Sequence, residues 1–351
     1  MRPFPELITD PIYNQPQHFS RYQQFWIRHI HDKRDLPFVQ LLTIIHISII
    51  PVAILLFTPL LHGWHWWVVI AIYFYFSQIY FKGSFGLMLH CLCHRKLFKI
   101  QGLNKYLFWF VCPFFGHLGD SYHVHHMGMH HVENNMPDDA SSTMGYRRDN
   151  ISDFLKYWLR FMFLGFRDTF IYLFARKRKK MYTKVTISEV GFMLIVPALC
   201  FINLKAALFV FIIPFLFARL VMMLGNWTQH AFVDANEPDN DFASNIICLN
   251  TKYNHKCWND GYHVVHHIRP GAHYTDLPLI FKQMIPDLEK NRTFVFERIH
   301  YLHIFFYLMF KRYDKLADNM VSINGNFLDK AEAISLLKNR TRKFDLKKFS
   351  R

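Results

Sequence analysis

Acidic side chains are scarce in this sequence. It has 26 Asp and Glu against 41 Lys and Arg, a formal charge of +15 with histidine neutral, and Asp120 is the only acid between positions 85 and 131. That scarcity argues against a carboxylate-bridged metal site of the kind that soluble helix bundles build from Glu-x-x-His pairs. Cysteine is also sparse. Six scattered residues make no disulfide framework, and Cys91 and Cys93, one residue apart, lack zinc-knuckle spacing. Charged residues reach only 19%, against roughly 25% in soluble proteins, which argues against two or three soluble domains in this length. No internal repeat, low-complexity tract or cleavable secretory signal stands out. In their place the chain is 52% apolar and 18% aromatic, with ample surface to bury and no reason to be disordered. Its other excess is histidine: of 22, 14 fall within 90–131 and 230–273.

The apolar residues come in runs. Residues 39–61 can cross a hydrocarbon layer of about 30 Å, Leu61-His62-Gly63 makes a tight turn, and 64–82 returns, with Trp64, Trp66 and Trp67 suited to the headgroup belt. A second pair, 186–204 and 206–225, is joined near Asn203-Leu204-Lys205; 190–204 carries no charge, and 206–225 is apolar except for Arg219. The expected fold is therefore an all-α integral membrane protein with four transmembrane helices in two hairpins. Residues 1–37 form a cytosolic segment, 38–310 the membrane domain and 311–351 a cytosolic C-terminal segment. Tyr106–Phe115 reads as a buried or re-entrant stretch, and Phe154–Ala175 and Phe296–Phe310 as helices lying partly in the interface. Basic residues cluster at 95–105 and 176–180, so the positive-inside rule places both termini and the long connections in the cytoplasm. Topology thus accounts for much of the positive charge, and no nucleic-acid-binding module accompanies it.

Four histidine clusters abut the cytoplasmic ends of the hairpins. His90 and His94 are four apart and share a helix face. The run from His123 to His131 follows. On a helix His126 and His130 fall on one side, with His131 about 100° around. Asn226 and His230 are again four apart, and His263, His266 and His267 close the set. One metal takes at most three or four imidazoles, so nine candidates point to two metals. Imidazole alone admits Fe, Zn, Ni or Cu. Lone histidines such as His18, His29, His31, His62 and His65 read as ordinary surface or core residues. His46 reads as a mid-membrane side chain paired with a neighbouring helix's backbone.

These clusters resemble the histidine boxes of the membrane fatty acid desaturase and hydroxylase superfamily. His90-Cys-Leu-Cys-His94 is similar to the first box, His126-Met-Gly-Met-His130-His131 to the second and His263-Val-Val-His266-His267 to the third. Asn226 to His230 is similar to the N-x(3)-H element that supplies a further ligand, with the Asn holding a water. The resemblance implies a cytosolic helical cap carrying a non-heme di-iron centre, held by His90, His94, His126, His130, His131, His230, His263, His266 and His267. His123 is the alternative ligand of the second box. His125, Asp120, Asn134, Asn135, Asn259 and Asp260 are candidates to hold ligand imidazoles, and Arg269 and His273 to contact an acyl headgroup.

The implied reaction is O2-dependent oxidation of an unactivated position in a lipid acyl chain, with desaturation favoured. Lipid, carotenoid or alkane hydroxylation or ketolation is the alternative within the superfamily. A membrane transporter or a zinc-binding structural protein lies further off. No His-Pro-Gly-Gly heme motif is present, so electrons would come from a separate donor such as cytochrome b5 or ferredoxin. The expected address is the endoplasmic reticulum in a eukaryote and the inner membrane in a bacterium. Oligomeric state is left open.

Overall fold

The computed structural model describes residues 1–327 and 329–349. Ser350 and Arg351, the last positions of the expected C-terminal segment, lie outside the described residues with Leu328. The chain divides into two compact units, each discontinuous in sequence. A hairpin unit comprises Tyr13–Gly128 and Leu173–Arg219; a sheet unit comprises Met1–Ile12, Met129–Tyr172 and Leu220–Arg351.

In the hairpin unit, the helix Leu36–Phe57 starts with proline in its first turn, where a missing N–H costs nothing. The chain reverses at Gly63, whose φ of +59° suits glycine, and Trp66 Nε1 donates to the Leu56 carbonyl at 3.1 Å, tying the two arms. The return arm Gly63–Phe74 passes through a π-helical turn, Tyr75–Tyr80. It then continues as Lys82–His94 after a 48° bend, so it reaches beyond the expected end at 82 and carries the first histidine pair.

Among the described residues, Lys33–Phe57 and Lys179–Gln229 are long and apolar enough to cross a membrane, and the bent pair raises the number to as many as three. The second stretch is not one rod. Asn203 is non-helical, with φ −155° and ψ 99°. Beyond it, Phe215 stacks on Phe192 with centroids 4.7 Å apart, and Arg219 Nη2 lies 2.8 Å from Glu189 Oε1. A continuous helix would separate positions 30 apart by about 45 Å. The chain therefore doubles back at the expected turn.

The short stretch read as buried or re-entrant is an α-helix, Gln101–Tyr106, that loosens to a π-turn over Leu107–Val111 and tightens to 3-10 over Cys112–Phe115. Its last carbonyls have no helical partner. Gln78 Nε2 donates to Phe114 O at 3.0 Å, and Lys82 Nζ to Phe115 O. Gly116 ends it with φ +71°, and a Cβ there would sit 1.9 Å from the Pro214 carbonyl oxygen, so only glycine fits. His46 bonds its own helix at Leu42 O (2.6 Å) and, across to this segment, the Tyr106 hydroxyl (3.0 Å) rather than a neighbour's backbone.

The sheet unit keeps the all-α class, with strands among the described residues confined to two short parallel pairs. Ile246–Leu249 pairs with Phe294–Glu297, and Arg2–Pro3 with Val321–Ser322. Every residue of the first pair is buried, so no apolar–polar alternation marks these strands in the sequence. The helix expected over 296–310 begins only at Tyr301, after the second of these strands, and runs to Met309. The helix Ile151–Ala175 is present, and Asn150 Oδ1 accepts from Asp153 N–H at its start. Its Phe154, Tyr157 and Phe161 pack with Met223, Trp227 and Phe305. Arg148 is fully buried and donates to the carbonyls of Tyr146, Ala231, Arg340 and Arg342 at 2.6–3.0 Å, joining three chain segments; burial lowers its pKa to about 9.

Candidate metal centre

Four imidazoles converge inside the sheet unit. His130 closes the π-turn His126–His130, His230 follows the helix Ile213–Gln229, and His263 and His267 lie four apart on the helix His263–Ile268. All four are buried, and their donor nitrogens lie within 4.8 Å of one another. His230 Nε2 and His263 Nε2 are 3.3 Å apart. In the same unit, His131 and His266 face each other with Nε2 atoms 3.1 Å apart.

The hairpin unit holds a second group. His90 and His94, one turn apart on Lys82–His94, meet His126, all with donor nitrogens within 4.8 Å. His94 Nε2 lies 2.9 Å from His126 Nε2, the His90 and His126 centroids are 4.5 Å apart, and Tyr122 stacks on His126. His126 and His130, expected on one helix side, go to different groups, and the segment between them is wound as a π-helix. His123 and His125 belong to neither group. Burial and the nearby Lys184 hold the His123 imidazole below its ordinary pKa.

These separations fit a shared metal. Two imidazole nitrogens each about 2.0–2.1 Å from one ion stand roughly 2.8–3.4 Å apart at right-angled to tetrahedral ligation. The three close pairs lie in that range. Burial, reinforced by the neighbouring His130 and His267, keeps His230 well below the ordinary histidine pKa, so its lone pair is available.

Two carboxylates support the sheet-unit group, and the sequence reading includes neither. His130 Nδ1 donates to Asp139 Oδ2 at 2.7 Å, and Asp139 Oδ1 accepts from Ser141 N–H and hydroxyl at 2.8 and 2.7 Å. His267 Nδ1 lies 3.3 Å from Asp241 Oδ1. A carboxylate on Nδ1 fixes the tautomer that leaves Nε2 to bind metal. The only local signal is that Asp139-Ala140-Ser141 reads as an Asx turn, which is ordinary loop grammar.

The residues expected in supporting roles make the following contacts. Asp120 accepts from Trp109 Nε1 at 3.0 Å and pairs with Lys184 at 3.4 Å. Asn134 and Asn135 are consecutive positive-φ turn residues; the first donates to Asp239 O and the second accepts from Thr143 N–H. Asn259, also at positive φ, donates to Pro11 O and Tyr274 O. Asp260 accepts from Tyr253 and Gln229. Asn226 Nδ2 donates to Ser141 O and the Tyr157 hydroxyl at 2.9 and 2.8 Å, which orients its amide. His273 is buried and bonds Thr275, whereas Arg269 is exposed.

A membrane-associated helical fold with two histidine-rich groups, one of them fully buried, supports a metal-dependent oxidoreductase together with the family match that follows. The family model described as fatty acid desaturase matches residues 64–298, well over half of the chain and all nine clustered histidines. The chain belongs to the fatty acid desaturase family. Comparisons with curated proteins and with solved structures gave no match.

Proposed function

We propose that the protein uses two irons and O2 to introduce a double bond into the acyl chain of a membrane lipid. The observation that carries this reading is the buried quartet His130, His230, His263 and His267, with Asp139 and Asp241 behind two of its rings. With His90, His94, His126, His131 and His266, the donors number what two metals use at four or five each. Family membership favours iron among the metals that imidazole accepts. Bound iron would supply the one-electron chemistry that activates O2 toward an unactivated C–H bond. The chain's own contribution is to hold oriented imidazoles in a largely buried site.

An apolar cavity of about 410 Å3 in the hairpin unit, lined by residues including Phe57, Phe108, Phe114, Phe192, Val196 and Phe211, supports an apolar-chain substrate. Each methylene buried there contributes about 0.8 kcal/mol, so chain length is sensed only a few-fold per carbon. The reading includes four crossings near 39–61, 64–82, 186–204 and 206–225 within a catalytic domain spanning 38–310. It places the histidines on the cytoplasmic face, takes electrons from a separate donor, and puts the protein in the endoplasmic reticulum or a bacterial inner membrane.

Metal analysis of the purified protein, paired with lipid profiles of cells carrying wild type or His263→Ala, tests this. The expected result is about two irons per chain and a product lighter by two hydrogens, both reduced or lost in the variant. A product heavier by one oxygen makes the enzyme a hydroxylase. Zinc without oxygen consumption would show a structural metal protein instead.

A further inference from the structure

Gln229, the residue before His230, connects through polar contacts to the protein surface. Its Nε2 lies 3.3 Å from Asp260 Oδ2, and the same oxygen accepts from the Tyr253 hydroxyl at 2.6 Å. The Tyr253 ring stacks on His300, with centroids 5.0 Å apart and planes within 7°, and His300 lies 4.4 Å from exposed His303. Tyr301 adds a branch: its hydroxyl donates to the Asp260 carbonyl at 2.8 Å, and its ring meets Tyr253 edge-on at 5.7 Å. All these residues belong to the sheet unit, and exposed Lys252, Lys256 and Arg298 stand within three positions of Tyr253 or His300 in sequence. Packing alone asks for an aromatic ring at 253; the bond to a buried carboxylate asks for a phenol.

We propose that electrons enter at the face where His300 stacks on Tyr253, delivered by an acidic one-electron carrier protein, and pass through Tyr253, Asp260 and Gln229 to His230. The inference rests on the reading that His230 holds iron. Each transfer oxidises one carrier and converts a ferric ion to ferrous; no bond forms or breaks, and the tyrosine returns to its starting state. Basic side chains at the surface end favour an acidic partner by raising its local concentration and its arrival rate. The continuous polar and aromatic line gives stronger electronic coupling than an apolar gap of the same length.

The test is anaerobic stopped-flow reduction of the iron-loaded protein by reduced soluble cytochrome b5, with dithionite as a small reductant that needs no docking face. Tyr253→Phe keeps the stacked ring and removes the hydroxyl. It is expected to slow reduction by cytochrome b5 at least tenfold at saturation, with iron content, melting temperature and dithionite rate unchanged. Lys252→Glu with Arg298→Glu is expected to weaken binding of cytochrome b5 to the metal-free protein several-fold. Should Tyr253→Phe stay within twofold of wild type, or lose rate equally with both reductants, the route is wrong. Unchanged binding after charge reversal would rule out the face. A wild-type protein that binds no iron would instead remove the underlying reading, before any variant is made.

Discussion

Asp139 directs both of its carboxylate oxygens: one takes the Nδ1 proton of His130, the other gathers the N–H and hydroxyl of Ser141. The aspartate therefore fixes a ligand's tautomer while its own loop fixes the aspartate. Asp139→Asn keeps the shape and removes the charge. Metal affinity of the sheet-unit group is expected to fall about 10- to 100-fold, measured by competition with a chelator, while helix content stays the same. The histidines were legible in the sequence because spacings of three and four place side chains on one helical face. Asp139 and Asp241 were not, since a carboxylate in a polar turn looks like any capping residue until the fold brings an imidazole to it. The reverse holds for Asn134, Asn135 and Asn259, whose closeness to the boxes in sequence reflects positive-φ turns.

The hairpins were the most legible elements, because apolar length and a polar break survive any detail of packing. Inside the second one, the buried pair Arg219–Glu189 bridges the arms, and Arg219 also lies over the Phe215 ring at 3.8 Å. Removing one partner strands a charge. Arg219→Met alone is expected to cost about 3–5 kcal/mol, and adding Glu189→Leu to restore most of it. Thermal unfolding in detergent, run as a double-mutant cycle, measures both. The π-turns were illegible for a definite reason. One surplus residue per turn leaves composition and apolar pattern unchanged, yet it rotates every side chain beyond it. An i, i+4 reading placed His126 and His130 together, whereas the fold assigns them to separate groups at the two ends of such a turn. The four-residue strands escaped notice because burial on both faces erases alternation.

At the scale of the whole chain, the N-terminal segment is not the independent stretch that its composition suggests. Arg2–Pro3 pairs with Val321–Ser322, and Asp10 accepts from the Asn250 N–H (2.8 Å) and the Tyr262 hydroxyl (2.7 Å), directly before His263. Asn259 reaches Pro11 O at 2.7 Å. The third box is thus braced by residues some 250 positions away in sequence, a link that no local pattern encodes. Asp10→Ala strands three donors, the N–H groups of Asn250 and Thr251 and the Tyr262 hydroxyl, at about 1–3 kcal/mol for each buried one. It is expected to lower the melting temperature and loosen metal binding by the sheet-unit group, read by unfolding with and without chelator. Asp10→Asn, which retains an acceptor oxygen, is expected to recover part of both.

The five-residue π-turn from His126 to His130 also works as a vernier. Rewound as an ordinary α-helix, the same five residues would turn His130 by about a fifth of a revolution relative to His126. The tally of histidines would be untouched, yet the sheet-unit group would lose a donor. Between these two rings, winding is therefore as much a part of the chemistry as residue identity. A straightened descendant could keep all nine imidazoles and still be inert.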